Sequence, residues 1–187
     1  MRNIFIAFIC TTLFCVACSN RERQFTKGIE LLQSKAVQLP SKGLIMRQGK
    51  VLYENIVNNK GLKLIVYADS IGCTSCAITH IDSWDSLIDY AKQNNDQLRC
   101  YFIFSPMKKE LRSTELMLTN TKFDYPVMLD TLKEFEKLNP HLPKNRALHT
   151  FLLDENNHVI LVGNPLRNKK IKEMFYKIVE EKLGKPQ

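Results

Sequence analysis

Residues 63–93 read KLIVYADSIGCTSCAITHIDSWDSLIDYAKQ, and this stretch decides the fold. Its start, Lys63–Ala68, is short and almost wholly apolar, as expected for a β-strand covered on both faces. From Cys73 onwards, apolar residues recur every three or four positions, which predicts a helix with one buried face. These residues are Ala77, Ile81, Trp84, Leu87, Ile88 and Ala91. The pair Cys73-Thr-Ser-Cys76 therefore stands where a buried strand turns into a helix.

The chain continues with a further strand, a helix and a strand. Residues 97–104 predict a second buried strand. Ser105-Pro106 ends it, a helix is expected from about 108 to 118, and Tyr125–Leu129 predicts a short strand. Parallel strands connected by helices are thus expected in the middle of the chain.

Two hairpins and a helix complete the prediction. Residues 43–57 turn at Gln48-Gly49 and predict an N-terminal hairpin, and residues 148–162 predict another across Asp154–Asn157. The apolar face of residues 169–183 predicts a final helix that packs across the sheet. Together these elements predict a three-layer α/β domain.

The N-terminus has the features of an export signal. Arg2 precedes the apolar run Ile4–Ala17, which is shorter than the roughly 20 residues that a membrane span needs. Cys15-Val-Ala-Cys18 resembles a bacterial lipoprotein signal and implies that residues 1–17 are removed and that Cys18 carries lipid. Ordinary cleavage after Ala17 is the alternative. Residues 18–42 are interpreted as a lipid-anchored tether, with the folded domain over 43–187.

Composition argues against a nucleic-acid partner. The chain of 187 residues is 44% hydrophobic and 25% charged, which fits one globular domain. Its net charge of +8 is spread over many lysines and arginines beside 19 acids, without a long basic tract. A solvated basic surface is the simplest interpretation.

Cysteine placement favours reversible redox chemistry. Of the six cysteines, three fall within the signal and anchor, and Cys100 lies in an apolar strand as an expected inert thiol. Disulfides persist outside the cytosol, but the loop that Cys73 and Cys76 would close is too small to add much stability. At a helix start the Cys73 thiolate is favoured, so Cys73 is the expected nucleophile. Cys76, one turn later and less exposed, is expected to resolve a mixed disulfide.

The order of elements and the cysteine motif resemble the thioredoxin superfamily, particularly its exported TlpA-like and thiol-specific-antioxidant-like branches. The likeness rests on Cys73-Thr-Ser-Cys76 after Leu64–Tyr67 and on Thr150–Asp154 before a turn, and it spans about residues 43–183. It implies a thioredoxin-like three-layer α/β/α fold with a mixed central sheet and an N-terminal β-hairpin extension. Five residues are candidates for substrate binding: Gly72, Thr74, Ser75, Leu148 and His149.

Three departures from that family affect the site. Gly72 stands where an aromatic residue often precedes the first cysteine, and Leu148 stands where the family has a cis-proline that helps bind substrate and exclude metals. A leucine peptide bond is expected to be trans. Tyr67 replaces a buried acid, so proton transfer to Cys76 is assigned to Asp69 or water.

Two histidines are relevant to this site. His149 is a candidate to face the cysteines, with a hydrogen-bonded surface histidine as the alternative. His80 is expected to point along the helix, away from the site.

The favoured function is a thiol-disulfide oxidoreductase that reduces protein disulfides at the periplasmic side of a bacterial envelope. The resemblance implies protein thiols and disulfides as partners, a membrane partner as reductant, and lipid anchoring, with the outer membrane favoured over the inner. No cofactor or metal is required.

Three alternatives stay open. One is a copper chaperone resembling the Sco type, with Cys73, Cys76 and His149 as soft ligands. Another is a redox-inert interaction module of the same fold. A peroxidase is the third, suggested by Ser70 three residues before Cys73, although Val66 stands where a proline is expected.

Overall fold

A seven-stranded mixed sheet lies at the centre of the protein. The computed structural model describes residues 22–52, 60–70, 74–95 and 97–185. The strands of the sheet are β1 (Leu44–Arg47), β2 (Lys50–Leu52), β3 (Leu62–Ala68), β4 (Leu98–Phe104), β5 (Val127–Leu129), β6 (Thr150–Leu153) and β7 (Val159–Val162). Their order across the sheet is β2-β1-β5-β4-β3-β6-β7.

The three central strands, β5, β4 and β3, are parallel. Strands β1 and β6 run antiparallel to them on either side, and each pairs with its hairpin partner, β2 or β7. Gln48 and Gly49 close the first hairpin with positive φ angles of 48° and 71°. The N-terminal hairpin is thus confirmed, although its second strand is described only to Leu52 because residues 53–59 lie outside the described residues.

Helices cover both faces of the sheet. They are α1 (residues 22–33), α2 (Thr74–Thr79), α3 (Asp85–Lys92), α4 (Leu111–Asn120), α5 (Glu134–Leu138) and α6 (Lys169–Leu183). Alternate residues of β3 enter two separate cores, as the pleat of a strand requires. Leu64 packs in the core beneath α2, α3, α4 and α6, whereas Ile65 packs in the core beneath α1 and α5. The predicted three-layer architecture is therefore confirmed.

The helix predicted from Cys73 to Gln93 is interrupted. Ile81–Trp84 forms a 3₁₀ turn between α2 and α3. The backbone N–H and hydroxyl of Ser83 both donate to the carbonyl of His80, at 3.2 and 2.6 Å. Such a side-chain bond to the backbone competes with regular helix. The apolar face survives the break, since Trp84 is buried and packs edge-on against Phe102.

The fold begins upstream of residue 43. Residues 22–33 form α1, and Leu32 and Val37 are both 0% exposed. The backbone N–H of Val37 donates to the carbonyl of Asn157 at 2.9 Å. The part of the predicted tether from residue 22 onwards is therefore packed chain. Sequence periodicity did not reveal this packing because few apolar residues make the contact. The short helix α5 does not cover this face of the sheet alone, and α1 covers the rest.

The predicted signal and Cys18 lie outside the described residues. Within the part of the chain that the structure describes, none of the helices combines the length and hydrophobicity needed to cross a bilayer.

Candidate functional site

Cys76 lies on α2, which follows the central strand β3. It is disulfide-bonded. Cys100, the other cysteine among the described residues, is free and buried, so the second sulfur lies outside them. Gly72 and Cys73 also lie outside the described residues, and the pairing of Cys73 with Cys76 stays a prediction.

The side chains between and after the cysteines differ in exposure. Cys76 is exposed; its predicted lower exposure relative to Cys73 stays a prediction, because Cys73 lies outside the described residues. Of the two residues between the cysteines, Ser75 is exposed and Thr74 is buried. The Thr74 hydroxyl finds no hydrogen-bond partner among the described residues. Ser75 is therefore accessible to a partner protein, whereas the Thr74 side chain is not.

Leu148 does not offer its side chain to a partner. It is 1% exposed, and its Cδ1 atom would lie 2.6 Å from a Cβ added to Gly28 of α1. Cis peptide bonds are absent from the described residues, so the bond before Leu148 is trans, as predicted. The N–H groups of Leu148 and His149 donate to Asn145 and Arg146 within a 3₁₀ turn. The Leu148 side chain and these two N–H groups are therefore not available for direct contact with a substrate.

His149 is buried on the face covered by α1 and α5. Its Nε2 lies 2.8 Å from the carbonyl oxygen of Pro143, and its ring packs against Tyr67 with centroids 5.2 Å apart. Because a carbonyl only accepts, Nε2 carries a proton and the buried Nδ1 is left without a partner. His149 is thus not the surface histidine of the alternative prediction, and as a copper ligand it could offer only a buried nitrogen.

Asp69 and Tyr67, the two residues discussed for proton transfer to Cys76, both interact with other side chains. Nε of Arg146 lies 3.2 Å from both carboxylate oxygens of Asp69, which is buried. The ring of Tyr67 packs against Phe135 with centroids 4.8 Å apart, and burial raises the pKa of Tyr67 far above its ordinary value. Asp69 is therefore held in an ion pair, and Tyr67 keeps its proton at neutral pH.

A cleft of about 360 Å³ lies beside Cys76. Its apolar lining comes from Val66, Ala77, Trp84, Phe104 and Leu166, and its polar lining from Tyr67, Cys76, His80, Ser83, Thr150, Asn164 and Arg167. His80 therefore lines the same cleft as Cys76, whereas the sequence analysis expects it to point away from the cysteines. The signal available in the sequence was its spacing of four residues from Cys76, which places both on one side of a helix.

The loop after β7 forms one wall of the cleft and is held by its own hydrogen bonds. The carbonyl of Asn164 accepts from the N–H groups of Arg167 and Asn168, and its side chain accepts from Leu166 N–H at 2.8 Å. Gly163 has φ of 129°, and an added Cβ there would lie 3.1 Å from Ile171. These constraints fix the backbone that presents Arg167.

A polar network joins the ends of the parallel strands. Lys133 Nζ donates to the Ser70 hydroxyl at 2.7 Å, and the Ser105 hydroxyl donates to Asp130 at 3.4 Å. Asp130 in turn accepts from the first N–H groups of α5, Glu134 and Phe135, both at 2.8 Å. Ser70, on which the peroxidase interpretation depends, is buried in this network.

Metal-ligating residues do not cluster among the described residues: there, groups of three or more His, Cys, Asp or Glu side chains that could hold an ion are absent. Cys100 is buried as expected, and burial raises the pKa of its thiol to about 12. It is therefore a poor nucleophile or ligand at neutral pH.

Comparison with known proteins gave only structural likenesses. No protein-family model matches the chain. No curated protein is significantly similar to it in sequence either. A DsbE-type thiol:disulfide interchange protein from Chlorobium tepidum aligns with a TM-score of 0.49 and 14% identity, covering 78% of this chain and 95% of its own.

Two further structures align over most of their length. The exposed lipoprotein thioredoxin of Streptococcus pneumoniae has a TM-score of 0.46 and 16% identity, covering 74% of this chain and 99% of its own. A thioredoxin-like protein from Porphyromonas gingivalis has a TM-score of 0.43 and 18% identity, covering 78% of this chain and 92% of its own. Such weak likenesses do not identify a function. The architecture, with its mixed sheet, helices on both faces and N-terminal hairpin, is the thioredoxin-like one that the sequence predicts.

Proposed function

We propose that this protein is a thiol-disulfide oxidoreductase that uses Cys73 and Cys76 as its redox pair and reduces disulfides in other proteins. The observation that carries the proposal is an exposed, disulfide-bonded Cys76 on the helix that follows the central strand. A disulfide at the surface is open to attack by a thiolate, whereas a purely structural disulfide is usually shielded.

The reaction needs two displacements. The Cys73 thiolate attacks a partner disulfide, a Cys73–partner bond forms, and the other partner sulfur leaves as a thiolate. The Cys76 thiolate then attacks the Cys73 sulfur, which forms the Cys73–Cys76 disulfide and releases the second partner sulfur. Two electrons pass to the partner, and a dithiol on a membrane protein would return the pair to the reduced state.

The described residues support entry from the side of α2. Ser75 and Cys76 are both exposed on this helix and Cys76 lines the cleft, whereas Leu148 is covered by α1. A partner would therefore contact the surface around α2 and the cleft more than the loop before β6. This differs from the substrate contact that the resemblance implies at Leu148.

Localisation is part of the same proposal. Cys18 would carry the lipid, and the domain would face the periplasm, with the outer membrane favoured over the inner. The support is the sequence of residues 1–18 alone. Labelling cells with a fatty-acid probe should mark the wild-type chain and not a Cys18→Ser variant, whereas equal labelling of the two would reject the anchor.

Trapping mixed disulfides tests the redox function. A Cys76→Ser variant should accumulate partner proteins on Cys73, and a Cys73→Ser variant should not, because only the first can stall after the initial displacement. Cys100→Ser is the matched control, since its thiol is buried. A failure of the wild type to reduce a model protein disulfide, together with no trapped species, would overturn the proposal. A very low reduction potential would favour the redox-inert module.

A further inference from the structure

We propose that His80 accepts the proton of the Cys76 thiol when Cys76 becomes the attacking sulfur. The inference rests on the proposed function for its biological role, but the protonation of Cys76 can be measured without a partner protein. It assigns a function to a histidine that the motif itself does not contain.

The two side chains line the same cleft. Cys76 and His80 are four residues apart at the end of α2, both are exposed, and both line the cleft of about 360 Å³. That space admits water between sulfur and imidazole, so proton transfer needs no direct contact.

His80 has an anchored backbone and an exposed side chain. Its carbonyl accepts two hydrogen bonds from Ser83, which anchors the start of the 3₁₀ turn. Its imidazole is exposed. Imidazole is the side chain that most often serves as a general base in proteins.

Other groups around the cleft cannot take this role at neutral pH. Aspartate and glutamate are absent from the described residues that line it. Tyr67 has a raised pKa and its ring packs on the other face of the sheet, and the Arg167 guanidinium stays charged.

Charges on the neighbouring elements are few. Asp82 is exposed in the 3₁₀ turn two residues after His80. On α4, which packs against α2, Glu110 precedes the helix and Arg112 pairs with Glu115 at 3.4 Å.

The proton and electron pairs balance in the second displacement. The Cys76 S–H bond breaks and its proton moves to neutral His80. The freed sulfur pair forms a bond to the Cys73 sulfur while the Cys73–partner bond breaks. The partner sulfur leaves with the electron pair of the broken Cys73–partner bond and takes up a proton from the imidazolium or from water.

The test is the pH dependence of Cys76 alkylation. In the reduced full-length Cys73→Ser variant, iodoacetamide labelling of Cys76 is followed by mass spectrometry of its own peptide. We expect the midpoint to lie below the ordinary thiol value of ~8.5. Adding His80→Gln should raise it by about one pH unit, because the imidazolium that forms when His80 takes the proton stabilises the thiolate as an opposite charge.

Two further variants separate chemistry from structure. His158→Gln removes an exposed histidine near the β6–β7 turn and should leave the midpoint unchanged. His80→Ala should lose alkylation rate at pH 7 by about tenfold and regain part of it with added imidazole, for which the cleft has room. A merely structural role for His80 would show no such rescue.

The inference is overturned if the His80→Gln and parent curves coincide, or if His158→Gln shifts the curve equally. Loss of the proposed function would look different: neither cysteine variant would change the reduction of a protein disulfide, whatever the alkylation curves show. The two failures are therefore distinguishable.

Discussion

Leu148 packs against Gly28, and this contact ties the loop before β6 to the N-terminal helix. A Cβ on Gly28 would lie 2.6 Å from Leu148 Cδ1, so the helix approaches closely only because it carries no side chain there. Leu148, at the position where the resemblance implies a cis-proline, thus serves a packing role. It joins a segment outside the predicted domain to the edge of the candidate site.

Truncating Leu148 should destabilise the protein. Leu148→Ala removes a side chain that is 1% exposed, and the expected loss is about 2–5 kcal/mol of unfolding free energy. Urea denaturation measures it. Leu132→Ala is the control because Leu132 is 59% exposed and should change stability by less than about 0.5 kcal/mol. Equal effects of the two changes would contradict the packing described here.

Replacing Leu148 with the proline that the resemblance implies should destabilise the turn before β6. Leu148 N–H donates to the Asn145 carbonyl at 3.0 Å, and proline has no such donor. Leu148→Pro also loses the contact with Gly28, so we expect a loss of at least about 2 kcal/mol. A variant as stable as the wild type, measured in the same urea titration, would show that the trans turn is not required.

Neighbouring leucines on α1 test whether this segment belongs to the fold. Leu32 is 0% exposed and Leu31 is 47% exposed. Leu32→Ala should cost about 2–5 kcal/mol, whereas Leu31→Ala should be nearly neutral. Thermal unfolding followed by circular dichroism distinguishes them. A tether, by contrast, would tolerate both changes equally.

Alkaline pH should weaken the fold through Cys100. Burial raises the pKa of its thiol from 9.0 to about 12, so the unfolded chain loses this proton at lower pH than the folded one. The stabilisation is fully present below pH 9 and is lost as pH rises towards 12, at up to about 1.4 kcal/mol per unit. Urea titrations between pH 8 and 11 measure this slope. Cys100→Ala should flatten it, and an unchanged slope would assign the effect to other groups.

The strand prediction succeeded where the pattern was strongest. The segments Lys63–Ala68 and Gln97–Phe104 are mostly apolar and form β3 and β4 within a residue or two. The helix from Cys73 was predicted as one element and is two, because Ser83 bonds the His80 carbonyl. Periodicity records which side is buried, and it does not register a local side-chain bond that changes the helix type.

The site was predicted less completely than the fold. Cys76 was placed on its helix correctly, but its exposure and the cleft beside it were not foreseen. His80 was expected to point away from the cysteines, but it lines the cleft beside Cys76. Asp69, weighed as a proton-transfer group or a loop cap, is paired with Arg146. Arg146 and Asp69 are 77 residues apart, so no local pattern links them.

The sequence by itself determined the order of strands and helices and the placement of Cys73-Thr-Ser-Cys76 after a buried strand, because hydrophobic spacing acts over a few residues. Only the tertiary structure decided that α1 covers Leu148, that His149 is buried, and that His80 shares a cleft with Cys76. These relationships depend on which distant surfaces pack together. Packing of this kind is set by the shape and volume of whole elements, and a linear pattern does not carry that information.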